Sequence, residues 1–175
     1  MIYEPREDSY LLQKQVRKYV KKGDKVLDMG TGSGIQAATA FEITKDVTAA
    51  DINKEALARV KKEHPEIKTI QSDLFQKIPK EKFDVIIFNP PYLPEEKRES
   101  FEDRLVLSGG KYGHEILERF FRQAREYLKA GGNIIVVFSS LTGDIKDIIK
   151  KLGYSMQELA EESYFFEKIG VYLIT

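Results

Sequence analysis

The chain has no cysteine and no tryptophan, and only two histidines in 175 residues. Without cysteine there is no disulfide, no thiolate nucleophile and no thiolate-bound metal. Two histidines alone do not make a zinc site of the usual kind. An excess of charge is missing too, since 28 Lys and Arg balance 28 Asp and Glu. A balanced chain has no global grip on a phosphate backbone, which argues against duplex nucleic acid as a partner and leaves only a local basic patch open. No apolar run approaches the roughly 20 residues of a membrane span. The N-terminus lacks the basic stretch, apolar core and small-residue cleavage site of a leader, so the expectation is a cytoplasmic protein. The length fits a single domain over residues 1–175 with a full core.

What is present is an alternation of short apolar runs with helical stretches. That pattern predicts an α/β fold of Rossmann-like type, with a mostly parallel sheet and helices on both faces. Strands are expected at 25–29, 47–51, 67–71, 84–88 and 133–138, and a closing antiparallel pair at 154–160 and 171–175. Helices are expected at 8–20, from Gly34 to about Ile43, from the cap Asn53 to about Glu63, at 114–129 and near 142–152. The glycines Gly131 and Gly132 are read as the end of the fourth helix. The segment from Leu93 to Gly113 is charged, then glycine-containing, and long for a loop, so a substrate-facing role is expected.

Chemistry concentrates in Asn89-Pro90-Pro91-Tyr92, at the carboxyl end of the expected fourth strand. Open α/β sheets place their sites at such strand ends. Each proline fixes its φ and removes an N–H, and Asn89 is pushed toward extended geometry. The product is a stiff ledge with a side-chain amide, uncontested carbonyls and an aromatic face, suited to a planar –NH2 group. Taken alone, the four residues could equally begin a proline-rich loop.

The other strand ends tip the balance. Asp28-Met29-Gly30-Thr31-Gly32-Ser33-Gly34 follows the first strand, with glycine spacing unlike the GxGxxG of dinucleotide binders. An acid two residues before the first glycine would repel a pyrophosphate and attract an ammonium group. That favours S-adenosylmethionine over a nicotinamide cofactor. Asp51 ends the second strand, where an acid accepts from ribose hydroxyls. Asp73 ends the third and could accept from an adenine amino group, with Leu74 offering its N–H. Either acid alone could be a helix cap or surface turn; three on successive strands beside the ledge make a methyltransferase the favoured reading.

With these motifs the chain resembles class I S-adenosylmethionine-dependent methyltransferases. More narrowly, it resembles the HemK-like protein-glutamine N5-methyltransferases of the archaeal and eukaryotic branch, which act on class 1 release factors. Tyr3-Glu4-Pro5-Arg6-Glu7-Asp8-Ser9-Tyr10-Leu11-Leu12 and Ser108-Gly109-Gly110-Lys111-Tyr112-Gly113 carry the narrower resemblance. It implies that residues 1–22 cover the cofactor, with Ser9 at its carboxylate end. It further implies Asp28, Gly30 and Gly32 at the methionine moiety, Asp51 at the ribose, and Asp73 with Leu74 at the adenine. Asn89, Pro90 and Tyr92 would bind the substrate glutamine amide in a Gly-Gly-Gln loop, Asn89 also meeting the cofactor. Relatives pair with a small zinc-binding activator subunit, for which the third strand, expected at a sheet edge with Ile67 and Ile70 partly uncovered, is a place of strand addition. The alternative is an amino methyltransferase acting on adenine or guanine. His64 and His114 are read as structural, and the charged run from Glu95 to Arg104 as a solvated loop.

Overall fold

A computed structural model describes residues 2–94 and 108–175. Seven strands form one sheet in the order β3-β2-β1-β4-β5-β7-β6. They are β1 (Lys25–Met29), β2 (Asp46–Asp51), β3 (Lys68–Gln71), β4 (Phe83–Phe88), β5 (Leu128–Ser139), β6 (Met156–Ser163) and β7 (Lys168–Ile174). The first five are parallel; β7 runs antiparallel to both β5 and β6. The helices are α1 (Glu7–Tyr19), α2 (Ile35–Ile43), α3 (Lys54–Glu63), α4 (Glu115–Ala124) and α5 (Ile145–Lys151). Among the described residues no helix is long and apolar enough to cross a membrane.

The period-two alternation of side chains sends each parallel strand into two cores. In β4, Ile86 and Phe88 enter a core with Phe75, Phe120 and Phe121, whereas Val85 and Ile87 join Leu12, Val16 and Ala37 on the other face. The aromatic core is knit by ring contacts, Phe88 on Phe120 at 4.5 Å and Phe75 on Tyr127 at 4.5 Å. Asn53 caps α3 as expected, its side chain accepting from Glu55 N–H at 2.9 Å. His64 closes the same helix and His114 opens α4, both as expected.

Four expectations are corrected. The fourth helix stops at Ala124 and tightens into a 3₁₀ turn, Arg125–Tyr127, because Leu128 leaves to pair with Phe83. Gly131 and Gly132 therefore lie inside β5, where the register shifts between its first pair and Asn133, rather than ending a helix. A Cβ on Gly132 would stand 2.9 Å from Phe83 O, so the close strand approach requires glycine there. Ile67 is buried, covered by the α3 side of the core, and only Ile70 is partly exposed. The last helix is shorter than expected, starting at Ile145. The charged run from Glu95 to Arg104 lies outside the described residues, as does most of the expected substrate-facing loop from Leu93 to Gly113.

Candidate active site

β1 lies between β2 and β4, so connections leave it in opposite directions and a crevice opens at the strand ends. A cavity of about 780 Å³ fills that crevice, and every residue singled out above for cofactor or substrate borders it. Such a volume suits a small-molecule ligand. Asp28, Gly30 and Gly32 come from the β1–α2 turn, Asp51 from the end of β2, and Asp73 with Leu74 from the end of β3. Asn89, Pro90 and Tyr92 come from the end of β4, and Ser9 from α1.

Gly30 and Gly32 have φ of +64° and +51°, so the turn curls in a conformation that disfavours side chains. Asp28 is sealed beneath it, Oδ2 accepting from Thr31 Oγ1 at 2.6 Å and Ala37 N–H at 3.0 Å. Burial outweighs these bonds and pushes its carboxyl up to about 7. Asp51 accepts from Gly32 N–H on Oδ2 and Asn53 N–H on Oδ1, both at 2.8 Å, which ties the glycine turn to β2. Asp73 Oδ2 is taken by Arg119 at 2.8 Å and Gln76 at 3.0 Å. Leu74 adopts a φ of +47°, the one positive φ of a non-glycine among the described residues. A strained backbone beside a cavity is a mark of function.

The ledge is organised by a residue to which the sequence reading gave no role. Asp8, in the first turn of α1 and 2% exposed, is surrounded by donors. Its Oδ2 accepts from Asn89 Nδ2 at 3.2 Å and Tyr92 Oη at 3.3 Å. Its Oδ1 accepts from Tyr3 Oη at 3.0 Å, Ser9 N–H at 2.6 Å and Ser9 Oγ at 3.2 Å. Asn89 Nδ2 also donates to Ser9 Oγ at 3.2 Å. With its NH2 committed, the Asn89 amide has one remaining feature, Oδ1, which finds no donor among the described residues. Burial first, and then the Asp8 charge, raises the Tyr3 and Tyr92 phenols, keeping both protonated as donors. Gln36 Nε2 donates to Ser9 O at 2.8 Å and holds α1 in place.

Two more features have packing roles that the sequence alone does not reveal. Ile52 borders the cavity next to Asp51 and is 66% exposed, an apolar wall that a planar base would cover; an aliphatic residue directly after a strand-end acid was its signal. Gly109 and Gly113 fold the end of the long loop onto the ledge, Gly109 N–H donating to Leu93 O at 2.9 Å. A Cβ would stand 2.8 Å from Pro91 O at Gly109 and 2.7 Å from Tyr92 O at Gly113.

The sheet order, the acid-and-glycine turn at the switch point and the Asn-Pro-Pro-Tyr ledge define a class I methyltransferase, an enzyme that uses S-adenosylmethionine. A family model of the methyltransferase small domain matches residues 7–166, and the chain belongs to that family. It is 40% identical over 180 residues to a Methanocaldococcus jannaschii protein provisionally named a protein N5-glutamine methyltransferase, covering 97% of this chain and 89% of that one. The release factor glutamine methyltransferase of Koribacter versatilis is 40% identical over 121 residues, 61% of this chain and 43% of its own. The chain thus spans less than half of that bacterial relative. Among solved structures, the E. cuniculi Mtq2–Trm112 complex, described as responsible for methylation of the eRF1 translation termination factor, is similar with a TM-score of 0.79. Its identity is 25%, with 99% of this chain and 97% of that one covered.

Proposed function

We propose that this enzyme methylates the side-chain amide nitrogen of a glutamine in a translation termination factor. The observation that carries the reading is the locked orientation of Asn89, whose NH2 is held by Asp8 and Ser9 so that Oδ1 is left to accept. An acceptor at that point calls for an N–H donor, and the Pro90 carbonyl provides the second acceptor a planar –NH2 needs. The Methanocaldococcus jannaschii relative, provisionally named a protein N5-glutamine methyltransferase, and the E. cuniculi complex that methylates a termination factor both match nearly the whole chain, which supports an amide over a nucleobase.

The donor set fits S-adenosylmethionine. Asp28 would face the ammonium group with Gly30 and Gly32 at the methionine moiety, and Ser9 and the first turn of α1 would hold its carboxylate. Asp51 would accept from the ribose, and Asp73 Oδ1 and Leu74 N–H would meet the adenine over Ile52. The bound cofactor supplies a sulfonium methyl group, an electrophile ready for in-line displacement. The protein's task is the poor nucleophile, an amide nitrogen whose lone pair is delocalised. Asn89 Oδ1 and Pro90 O each take one N–H and aim the nitrogen, while the Tyr92 ring lies against the amide plane and shuts out water. The amide proton becomes acidic only as the N–C bond forms, so no strong base is needed and positioning supplies most of the rate.

The E. cuniculi neighbour is a two-protein complex, which supports a heterodimer here too. We assign the open edge of β3 to a small zinc-binding activator subunit, and the cytoplasm to the pair because termination acts there. The test is transfer of labelled methyl groups to the termination factor, with and without that subunit, against a factor whose Gly-Gly-Gln glutamine is replaced by alanine, and against DNA and RNA. Label on the intact factor alone is expected. Label on nucleic acid would move the ledge to a base amine and overturn the substrate reading.

A further inference from the structure

The β6–β7 hairpin closes with Tyr164 N–H donating to Glu167 O at 2.8 Å, which leaves Phe165 and Phe166 as a two-residue tip. Tight hairpin loops select Asn, Asp or Gly, because the strand twist favours positive φ there. Neither phenylalanine has a positive φ. Both rings stand in solvent, Phe166 92% exposed and Phe165 fully so. Two adjacent bare aromatics serve neither the turn nor the core, and exposed apolar patches mark contact surfaces.

Glu167, at the base of the same turn, points the other way. It borders the catalytic cavity together with Tyr92 and Ile169. Its Oε2 is sealed from solvent and has no hydrogen-bond partner among the described residues. A sealed carboxylate oxygen without a donor is unfavourable, and an N–H from an incoming molecule removes the cost. Tyr164 fixes the turn by donating from Oη to Glu162 at 2.7 Å. A nucleic acid would bring phosphates toward these acids; a polypeptide brings N–H donors and apolar side chains together.

We propose that this hairpin is the substrate-gripping element of the enzyme: Phe165 and Phe166 cover apolar side chains of the substrate polypeptide, and the half-buried Glu167 carboxylate turns toward the cavity to accept an N–H from the residues flanking the methylated amide. The inference rests on the protein-glutamine reading above. It places the substrate beside β6, at the sheet edge opposite β3, so substrate and partner subunit occupy separate edges.

The test compares wild type with the Phe165→Ser/Phe166→Ser double variant and with Glu167→Gln in steady-state methylation of the full-length termination factor. Cofactor affinity by calorimetry and melting temperature are read alongside. Because the tip rings are already in solvent, the double variant is expected to fold and bind cofactor as wild type does. Its KM for the factor should rise about tenfold or more with kcat little changed, as for a pair of aromatic anchors; Glu167→Gln should give a smaller rise in the same direction. A wild-type enzyme that methylates the factor while both variants keep its KM overturns the hairpin assignment alone. A wild type that self-associates through these rings, shown by sedimentation that the double variant abolishes, also overturns it. Failure of wild type itself to methylate the factor overturns the substrate reading, and this inference with it.

Discussion

Asp8 joins α1 to the ledge at the end of β4, 81 residues further along the chain. Its role is positioning: by taking Asn89 Nδ2 it fixes which end of that amide faces the substrate. Asn89→Ala should lower kcat by about 10²–10³-fold, the usual loss for a preorganised polar contact in a transition state, with cofactor affinity little changed by calorimetry. Asp8→Asn sets an amide against an amide and frees Asn89 to turn over. A misplacement of that kind should cost about 10²-fold in kcat, with KM and cofactor affinity moving far less; a lost fold would instead lower all three with the melting temperature. Asp28 gives a pH prediction. Its pKa rises from 3.8 to about 7 on folding, so the folded protein holds a proton that the unfolded chain releases. Without cofactor, stability from this residue is present at low pH and declines as pH rises from about 4 to about 7. The ammonium group favours the ionised carboxylate, so cofactor affinity should climb between about pH 6 and 7.5, before the ammonium itself deprotonates near about 8. Calorimetry across that range should show the climb in wild type and a flat profile in Asp28→Asn. Asp28, Asp51, Asp73 and Asn89 were legible because each sits at a strand end, a position that periodicity reveals. Asp8 was visible within Glu7-Asp8-Ser9, but its partners on the ledge, Asn89 and Tyr92, are more than 80 residues away and no local pattern names them.

At the scale of elements, strands were read to within a residue or two where they are buried on both faces, as β1 and β4 are. The error at α4 and β5 has a physical cause: Tyr127 and Leu128 continue the apolar stripe of the helix, yet pairing with Phe83 wins over helix continuation. The glycines illustrate a second limit, since sequence marks them without saying what approaches them. Gly131 and Gly113 both have positive φ, +76° and +85°, but a Cβ meets nothing within 4 Å at Gly131 and stands 2.7 Å from Tyr92 O at Gly113. Gly131→Ala should therefore cost only the left-handed strain, about 1–2 kcal/mol in thermal melts, with kcat unchanged. Gly113→Ala should cost more than this and also lower kcat, because relieving the clash shifts the ledge. Equal losses of stability with equal activity would show that the loop and the ledge are not mechanically linked.

At the scale of the molecule, the sheet order does what no single element does. By flanking β1 with β2 and β4 it gathers four strand ends around one cavity, and it ends in β3 and β6, the two edges proposed above for the partner subunit and the substrate. The methyltransferase class follows from that arrangement, whereas the choice of a protein amide rests on the orientation of Asn89. The most direct measurement is mass spectrometric mapping of the methyl group on a termination factor incubated with the enzyme, the proposed activator subunit and S-adenosylmethionine. A methyl group on the side-chain nitrogen of the Gly-Gly-Gln glutamine, absent with Asn89→Ala, is the expected result. A methyl group on a lysine, a carboxylate or a backbone site, or one that persists in Asn89→Ala, would contradict the assignment of Asn89 Oδ1 as the acceptor that selects a planar amide.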